Sequence, residues 1–113
     1  MAESLPGPLA GVRVLEFSLV FSASYAGIQL SDLGAEVVKV EPPGGEPFRQ
    51  LGGTIPGDGK NFQWANRGKQ SLVVDLARPE GLAVIHRLLP ATDVVLINYR
   101  PGVAERLGID YES

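Results

Sequence analysis

Residues 30–45, LSDLGAEVVKVEPPGG, constrain the fold more than any other stretch. Leu30 and Leu33 have the spacing of one helix face, and Gly34 stands where a helix C-terminus favours a residue tolerant of positive φ. Val37, Val38 and Val40 follow as a short β-branched run, too apolar on both faces for a strand with one side in water. Glu41 and Pro42 end that strand and lead into a Pro/Gly loop. Helix, tight turn, two-sided strand and polar loop make up the repeating unit of an open α/β sheet. Ligands of such sheets gather at the carboxyl ends of the strands. Residues 41–45 are therefore the first place to look for function.

The rest of the chain supplies matching units. Pro6, Gly7, Pro8 and Gly11 predict an irregular lead-in over residues 1–11. Residues 12–17 (VRVLEF) predict a first strand, with Val12, Val14 and Glu16 on one side and Leu15 and Phe17 on the other. A loop over 18–24 precedes a helix over roughly 24–33, with Ser24 as N-cap and Ala26, Leu30 and Leu33 on one face. Residues 42–68 predict a long Gly/Pro-rich connection anchored by Phe48, Phe62 and Trp64; loops of this length in compact domains are usually functional or mobile. Residues 71–76 (SLVVDL) predict a third strand. Pro79 and Glu80 open a helix, with proline in the first turn and an acid at the positive end of the dipole. Leu82, Ile85, Leu88 and Leu89 form its buried stripe, and Pro90 closes it. Residues 93–99 (DVVLINY) predict a fourth strand, and Pro101 starts a short helix that carries Arg106 and stops at Gly108.

The fold class is α/β: a Rossmann-like open parallel sheet of about four strands with flanking helices. Complete doubly wound sheets have about five or six strands. Residues 1–113 are thus expected to be the N-terminal portion of a larger domain, with sheet edges and an apolar face left uncovered and prone to self-association.

Composition excludes several classes. The net charge of −3 speaks against a nucleic-acid binder. Without cysteine there is neither a disulfide frame nor a thiolate metal site, and one histidine makes no His-rich site. No metal is expected. The N-terminus lacks a basic, hydrophobic leader and no apolar run approaches roughly 18 residues, which points to a cytoplasmic protein without membrane attachment.

For a nucleotide-binding sheet, a dinucleotide site would place G-x-G-x-x-G after the first strand. Residues 18–27 (SLVFSASYAG) lack it, although Glu41 matches the ribose-binding acid of that fold. Residues 57–60 (GDGK) lack the spacing of a P-loop, and no serine sits in a G-x-S-x-G elbow. His86 reads as a solvated helix residue and Asp93 as a cap on the turn before the fourth strand. Asp75 reads equally as a backbone cap for the next helix or as a ligand contact. Taken together, Val74, Asp75, Leu76, Ala77 and Arg78, with Asn98, Tyr99, Arg100 and Arg106, fall at one edge of the sheet. A planar ring, amide and carboxylate groups and two or three guanidinium forks suit a phosphorylated adenine nucleotide.

Four stretches carry a resemblance: PLAGVRVLEF, DLGAEVVKVEPPGGEPFR, NRGKQSLVVDLARPEG and TDVVLINYRPGVAERLGIDYES. In collinear order, over almost the whole chain, they resemble the start of a family III CoA-transferase. That group includes carnitine, bile-acid and formate/oxalate CoA-transferases and α-methylacyl-CoA racemase. The resemblance implies an interlocked homodimer whose large domain binds CoA, moving CoA between an acyl-CoA and a carboxylic acid acceptor. The same-family alternative is racemisation of an acyl-CoA. The alternative from another class is a non-catalytic nucleotide-binding or interaction module. Coenzyme A or acyl-CoA would be substrate, with no permanently bound cofactor. The family's catalytic positions lie past residue 113, so no catalytic nucleophile is expected here. The resemblance carries over a CoA border at Val20, Phe21 and Ser22 and an adenine edge at Val74 to Arg78. It adds a strand-end contact at Asn98, Tyr99 and Arg100, and Arg106 toward the CoA phosphates. The sequence departs from it at Phe21, where many transferases have glutamine, at Ala23-Ser24, where most have Gly-Pro, and at Pro42, where some carry arginine.

Overall fold

The computed structural model describes residues 5–51 and 59–113. Strands β1 (Arg13–Phe17), β2 (Glu36–Glu41), β3 (Gln70–Val73) and β4 (Val94–Ile97) form one parallel sheet in the order β3-β2-β1-β4. Helices α1 (Ser22–Asp32), α2 (Lys60–Asn66), α3 (Pro79–Leu88) and α4 (Val103–Leu107) flank it, α1, α3 and α4 where the sequence pattern places helices. The chain runs outward from β1 to β3 and then returns past β2 and β1 to β4. The topological switch point therefore lies between β1 and β4, where a ligand crevice opens in sheets of this kind.

Local chemistry explains the boundaries. Gly34 takes φ +102°; its amide bonds the Ser31 carbonyl at 2.9 Å, and the Ala35 amide bonds that of Leu30 at 3.0 Å. These bonds close α1 and drop the chain into β2. Pro79 opens α3 with Glu80 in its first turn. His86 is exposed and its Nε2 lies 3.1 Å from the Gly108 carbonyl oxygen, tying α3 to the end of α4. The Asp93 carboxylate accepts the Arg13 amide at 2.9 Å, which sets the entry to β4 against β1.

The two faces of the sheet differ in kind. Leu15, Phe17 and Val40 pack with Val74, Ile85 and Ile109 into the main core under α3 and α4. On the other face Val14, Ala35 and Val37 form a small cluster, and Ile28, Phe48, Phe62 and Ala65 form another beneath α1 and α2. Between them, β1 and β2 pair Glu16 with Lys39, both buried. The β2 strand is covered on both sides as expected, but one of those sides is ionic.

Several boundaries differ from the sequence pattern. Helix α1 begins at Ser22, and Ser24 lies inside it, buried, rather than capping it. Its fully buried residues are Ala23, Ser24, Gly27 and Ile28; of the expected face, Ala26 and Leu30 are half-buried, Leu30 against the Val14 cluster, and Leu33 is exposed. Small residues let the helix lie close over the charged part of the sheet. Residues 60–66, within the stretch read as a connection, are helical. Phe48 and Phe62 are buried anchors, whereas Trp64 is exposed; residues 52–58 lie outside the described residues. Strand β3 stops at Val73, so residues 74–77 leave the sheet as a loop. In α3 only Ile85 is fully buried, and Leu88 and Leu89 are exposed. Among the described residues β3 and β4 are the sheet edges, and Val73, Val94, Val95 and Ile97 are exposed along them.

One close approach fixes α3. A Cβ on Gly81 would stand 2.1 Å from the Asp75 carbonyl oxygen and 2.9 Å from Val74 Cγ1. Alanine is ordinarily favoured over glycine in a helix by about 1 kcal/mol. Forcing a methyl group against fixed backbone costs about 1–3 kcal/mol, so the clash prevails. Gly81→Ala is expected to lose up to about 2 kcal/mol in urea unfolding, and a stabilised variant would contradict this packing.

Candidate functional site

At the carboxyl ends of the strands lies a cleft of about 550 Å³. Its floor and walls come from the ends of all four strands: Leu19 after β1, Val40 and Glu41 with Pro42 and Pro43 from β2, residues 74–77 after β3, and residues 98–100 after β4. Val103 and Leu107 of α4 close the side. A cleft of this size with a mainly apolar lining and few polar groups is the form of a small-molecule site. Tyr99 is half-buried, and its phenol is pushed up by burial and by the nearby Glu46 charge. Arg100 is exposed at the opening.

Of the residues singled out in the sequence, Val74, Asp75, Leu76, Ala77, Asn98, Tyr99 and Arg100 line this one cleft. Their side chains are not equally free. The Asp75 carboxylate accepts the Ala77 amide at 3.0 Å, closing its own turn. Asn98 spans the switch point: Oδ1 accepts the Leu19 amide at 2.9 Å, and Nδ2 donates to the Leu19 carbonyl at 2.9 Å and to Ser22 Oγ at 3.0 Å. Arg78 lines a neighbouring groove of about 460 Å³ and is exposed, with Glu80 at 3.9 Å. Arg106 is exposed on α4, outside the cleft lining. Val20, Phe21 and Ser22 are exposed on the loop entering α1 and do not line the cleft either. The Phe21 ring instead stacks with Tyr25 at 5.9 Å and Trp64 at 5.6 Å.

Glu41, at the ribose position of a dinucleotide fold, is fully engaged elsewhere. Its carboxylate accepts from Arg49 Nε and Nη2 at 2.7 Å each, from the Glu46 amide at 3.0 Å and from the Ser71 hydroxyl. Burial alone would push its pKa up, but these donors outweigh burial and hold it at about 2. A carboxylate so occupied has no capacity left for a ribose diol, which removes the sequence feature favouring NAD.

Beneath the loop after β1 lies a buried ionic cluster that sequence reading missed. Lys39 Nζ donates to Ser18 Oγ at 2.9 Å and Ser24 Oγ at 3.0 Å, and lies 3.4 Å from Glu16 Oε1. Lys69 Nζ lies 2.8 Å from Glu16 Oε2 and donates to the carbonyls of Ser24 and Ala65 and to Asn66 Oδ1. Burial pushes the Lys69 ammonium down, and Glu16 offsets only part of that. Glu46 completes the cluster, 3.9 Å from Lys39 Nζ. The only sequence signal was charge inside strands otherwise built of valine and leucine. Ser24, where the sequence departs from the resembled pattern, supplies one of the hydroxyls. Among the described residues no group of three or more His, Cys, Asp or Glu could hold a metal ion. No helix among them is long and apolar enough to cross a membrane.

Comparison with known proteins gives the family of the chain. Residues 9–113 match the model of CoA-transferase family III. The chain is 44% identical over 111 residues to the succinyl-CoA–D-citramalate CoA-transferase of Chloroflexus aurantiacus, which covers 96% of this chain and 27% of that protein. It is 43% identical over 114 residues to the succinate–glutarate CoA-transferase of Agrobacterium fabrum, covering 94% of this chain and 28% of the relative. The crystal structure of a CaiB/BaiF family protein from Brucella suis matches the fold with a TM-score of 0.89 at 35% identity, over 96% of this chain and 30% of that one. The chain thus spans little more than a quarter of the length of these curated relatives.

Proposed function

The chain belongs to CoA-transferase family III, and on that premise we propose that its cleft holds coenzyme A within an enzyme that moves CoA from an acyl-CoA to a carboxylic acid. Residues 1–113 serve as the N-terminal, CoA-binding portion of that enzyme's large domain. The carrying observation is the cleft over the carboxyl ends of the strands, with Val40, Leu76 and Tyr99 in its lining and Arg100 at its opening. An adenine ring loses little on leaving water for such apolar walls, and a guanidinium at the rim meets phosphate with charge-assisted hydrogen bonds. Arg78 and Arg106, on the flanking surface, extend the basic rim. The named relatives are transferases, which supports transfer over racemisation. In this reading the whole enzyme works as a cytoplasmic homodimer.

Calorimetric titration of the chain with CoA, and with NAD as control, tests the proposal. CoA is expected to bind and NAD not to. Arg100→Ala is expected to weaken CoA about tenfold, equivalent to about 1.4 kcal/mol. Binding of NAD in preference to CoA, or CoA binding indifferent to Arg100, would overturn it.

A further inference from the structure

Val20 is the only non-glycine residue with positive φ among the described residues, at +62°. A β-branched side chain is rarely found there, and such a conformation persists only where its surroundings enforce it. Two side chains from distant elements do so. The buried Glu46 carboxylate accepts the Val20 amide through Oε2 at 3.0 Å. Asn98, at the end of β4, holds Leu19 through both its amide and its carbonyl, at 2.9 Å each. Glu46 is in turn fixed by its own backbone amide, which donates to Glu41 Oε1 at 3.0 Å.

The other Glu46 oxygen, Oε1, is buried and has no hydrogen-bond partner; the Lys39 ammonium is 3.9 Å away. Buried side-chain oxygens without a hydrogen-bond partner are rare; among the described residues Glu16 Oε2 is the other, and it has the Lys69 ammonium at 2.8 Å. In Glu46 one oxygen is left unsatisfied while the other is aimed at a strained peptide. The outcome is local: Leu19 becomes a wall of the cleft, and Phe21 turns outward onto Tyr25 and Trp64.

We propose that Glu46 and Asn98 are positioning residues that lock residues 19–22 in a strained conformation, so that Leu19 forms the β1 side of the ligand cleft. The role in binding rests on the reading of the cleft as a CoA site; the clamp itself does not. The carboxylate gives a stronger acceptor than a neutral group would. Asn98 fixes the residue before the strain, and Glu46 fixes the strained residue itself.

Amide hydrogen exchange on the chain without ligand tests the clamp, with emission of Trp64, the only tryptophan, reporting the position of Phe21. Glu46→Ala is expected to speed exchange at Val20 at least tenfold beyond any change at core amides of β1, and to shift Trp64 emission. Glu46→Gln, which keeps an acceptor, should retain most of the protection. Adding Val20→Gly to Glu46→Ala should restore the wild-type emission in part, because glycine adopts positive φ without strain. If Glu46→Ala fails to fold, Asn98→Ala is read in the same way at Leu19. Unchanged exchange at the loop, or a rise shared equally by every amide, would overturn the clamp. CoA affinity separates the two ideas. Loop exchange that responds to Glu46 in a chain that binds no CoA would support the clamp and refute the CoA reading. A loss of CoA affinity of about tenfold in Glu46→Ala, recovered in Glu46→Gln, supports both.

Discussion

Replacing Lys39 by methionine is expected to lower stability by about 3–5 kcal/mol, the size found when one partner of a buried ion pair is removed. Methionine fills nearly the same volume, so little of the loss comes from a cavity. What remains is Glu16 and Glu46 facing Lys69 alone, with side chains 0–2% exposed, and two serine hydroxyls without their donor. The native stability of a domain this size is about 5–15 kcal/mol, so about a fifth of it or more depends on one ammonium group. Urea unfolding of the wild type and the variant measures the difference directly. Pairing Lys39→Met with Glu16→Gln removes one charge of each sign and should lose less than the sum of the single changes. A loss below about 1 kcal/mol for Lys39→Met, the value of an exposed pair, would mean that water reaches this lysine after all.

Acid should weaken the fold through Glu41 over a defined interval. The unfolded carboxyl takes up a proton near its ordinary value of 4.5, while the folded one resists until about 2. Between those values the unfolded chain binds more protons, so stability falls as the pH falls and is fully present above 4.5. The difference corresponds to about 3 kcal/mol. Glu41→Gln should therefore be less stable than the wild type at neutral pH by a similar amount, and the gap should close on acidification toward pH 2. Arg49 retains its place over the Phe62 ring, 3.8 Å from the centroid, so the variant is expected to fold. Stability curves for the two proteins that run parallel from pH 7 to pH 2 would show that the Arg49 and Ser71 bonds contribute nothing of this kind.

The two variants probe neighbouring positions on one face of β2. Lys39 and Glu41 sit two residues apart on the same face of β2, one turned into the ionic cluster and the other into the Arg49 bond. Glu46 joins them, its amide on Glu41 and its carboxylate beside Lys39. The polar face of the sheet thus runs continuously from the core to the loop at the cleft, while the apolar face carries α3 and α4.

Periodicity alone determined the α/β class, the parallel strands and the strand-end location of the cleft. Valine runs bounded by glycine and proline admit few other structures, and parallel sheets present their ligand crevices at one end. The grouping of residues 74–77 with 98–100 was legible for the same reason: each follows directly from where a strand stops. Tertiary structure decided the rest. Apolar spacing along residues 24–33 caught only the half-buried margin of α1 at Ala26 and Leu30, because small residues at Ala23, Ser24 and Gly27 allow a close approach that hydrophobicity does not record. Helix α2 was hidden in a Gly/Pro-rich stretch because it is short and its burial depends on Ile28 and Phe48, far away in sequence. Nothing in the sequence marks Glu16, Lys39, Glu46 and Lys69 as partners of one another. Their burial becomes tolerable only when the register of β1 against β2 sets Glu16 opposite Lys39, and the fold brings in the other two. A sequence records charge and spacing, but the free energy of a buried ion depends on the partners that folding places within about 4 Å of it.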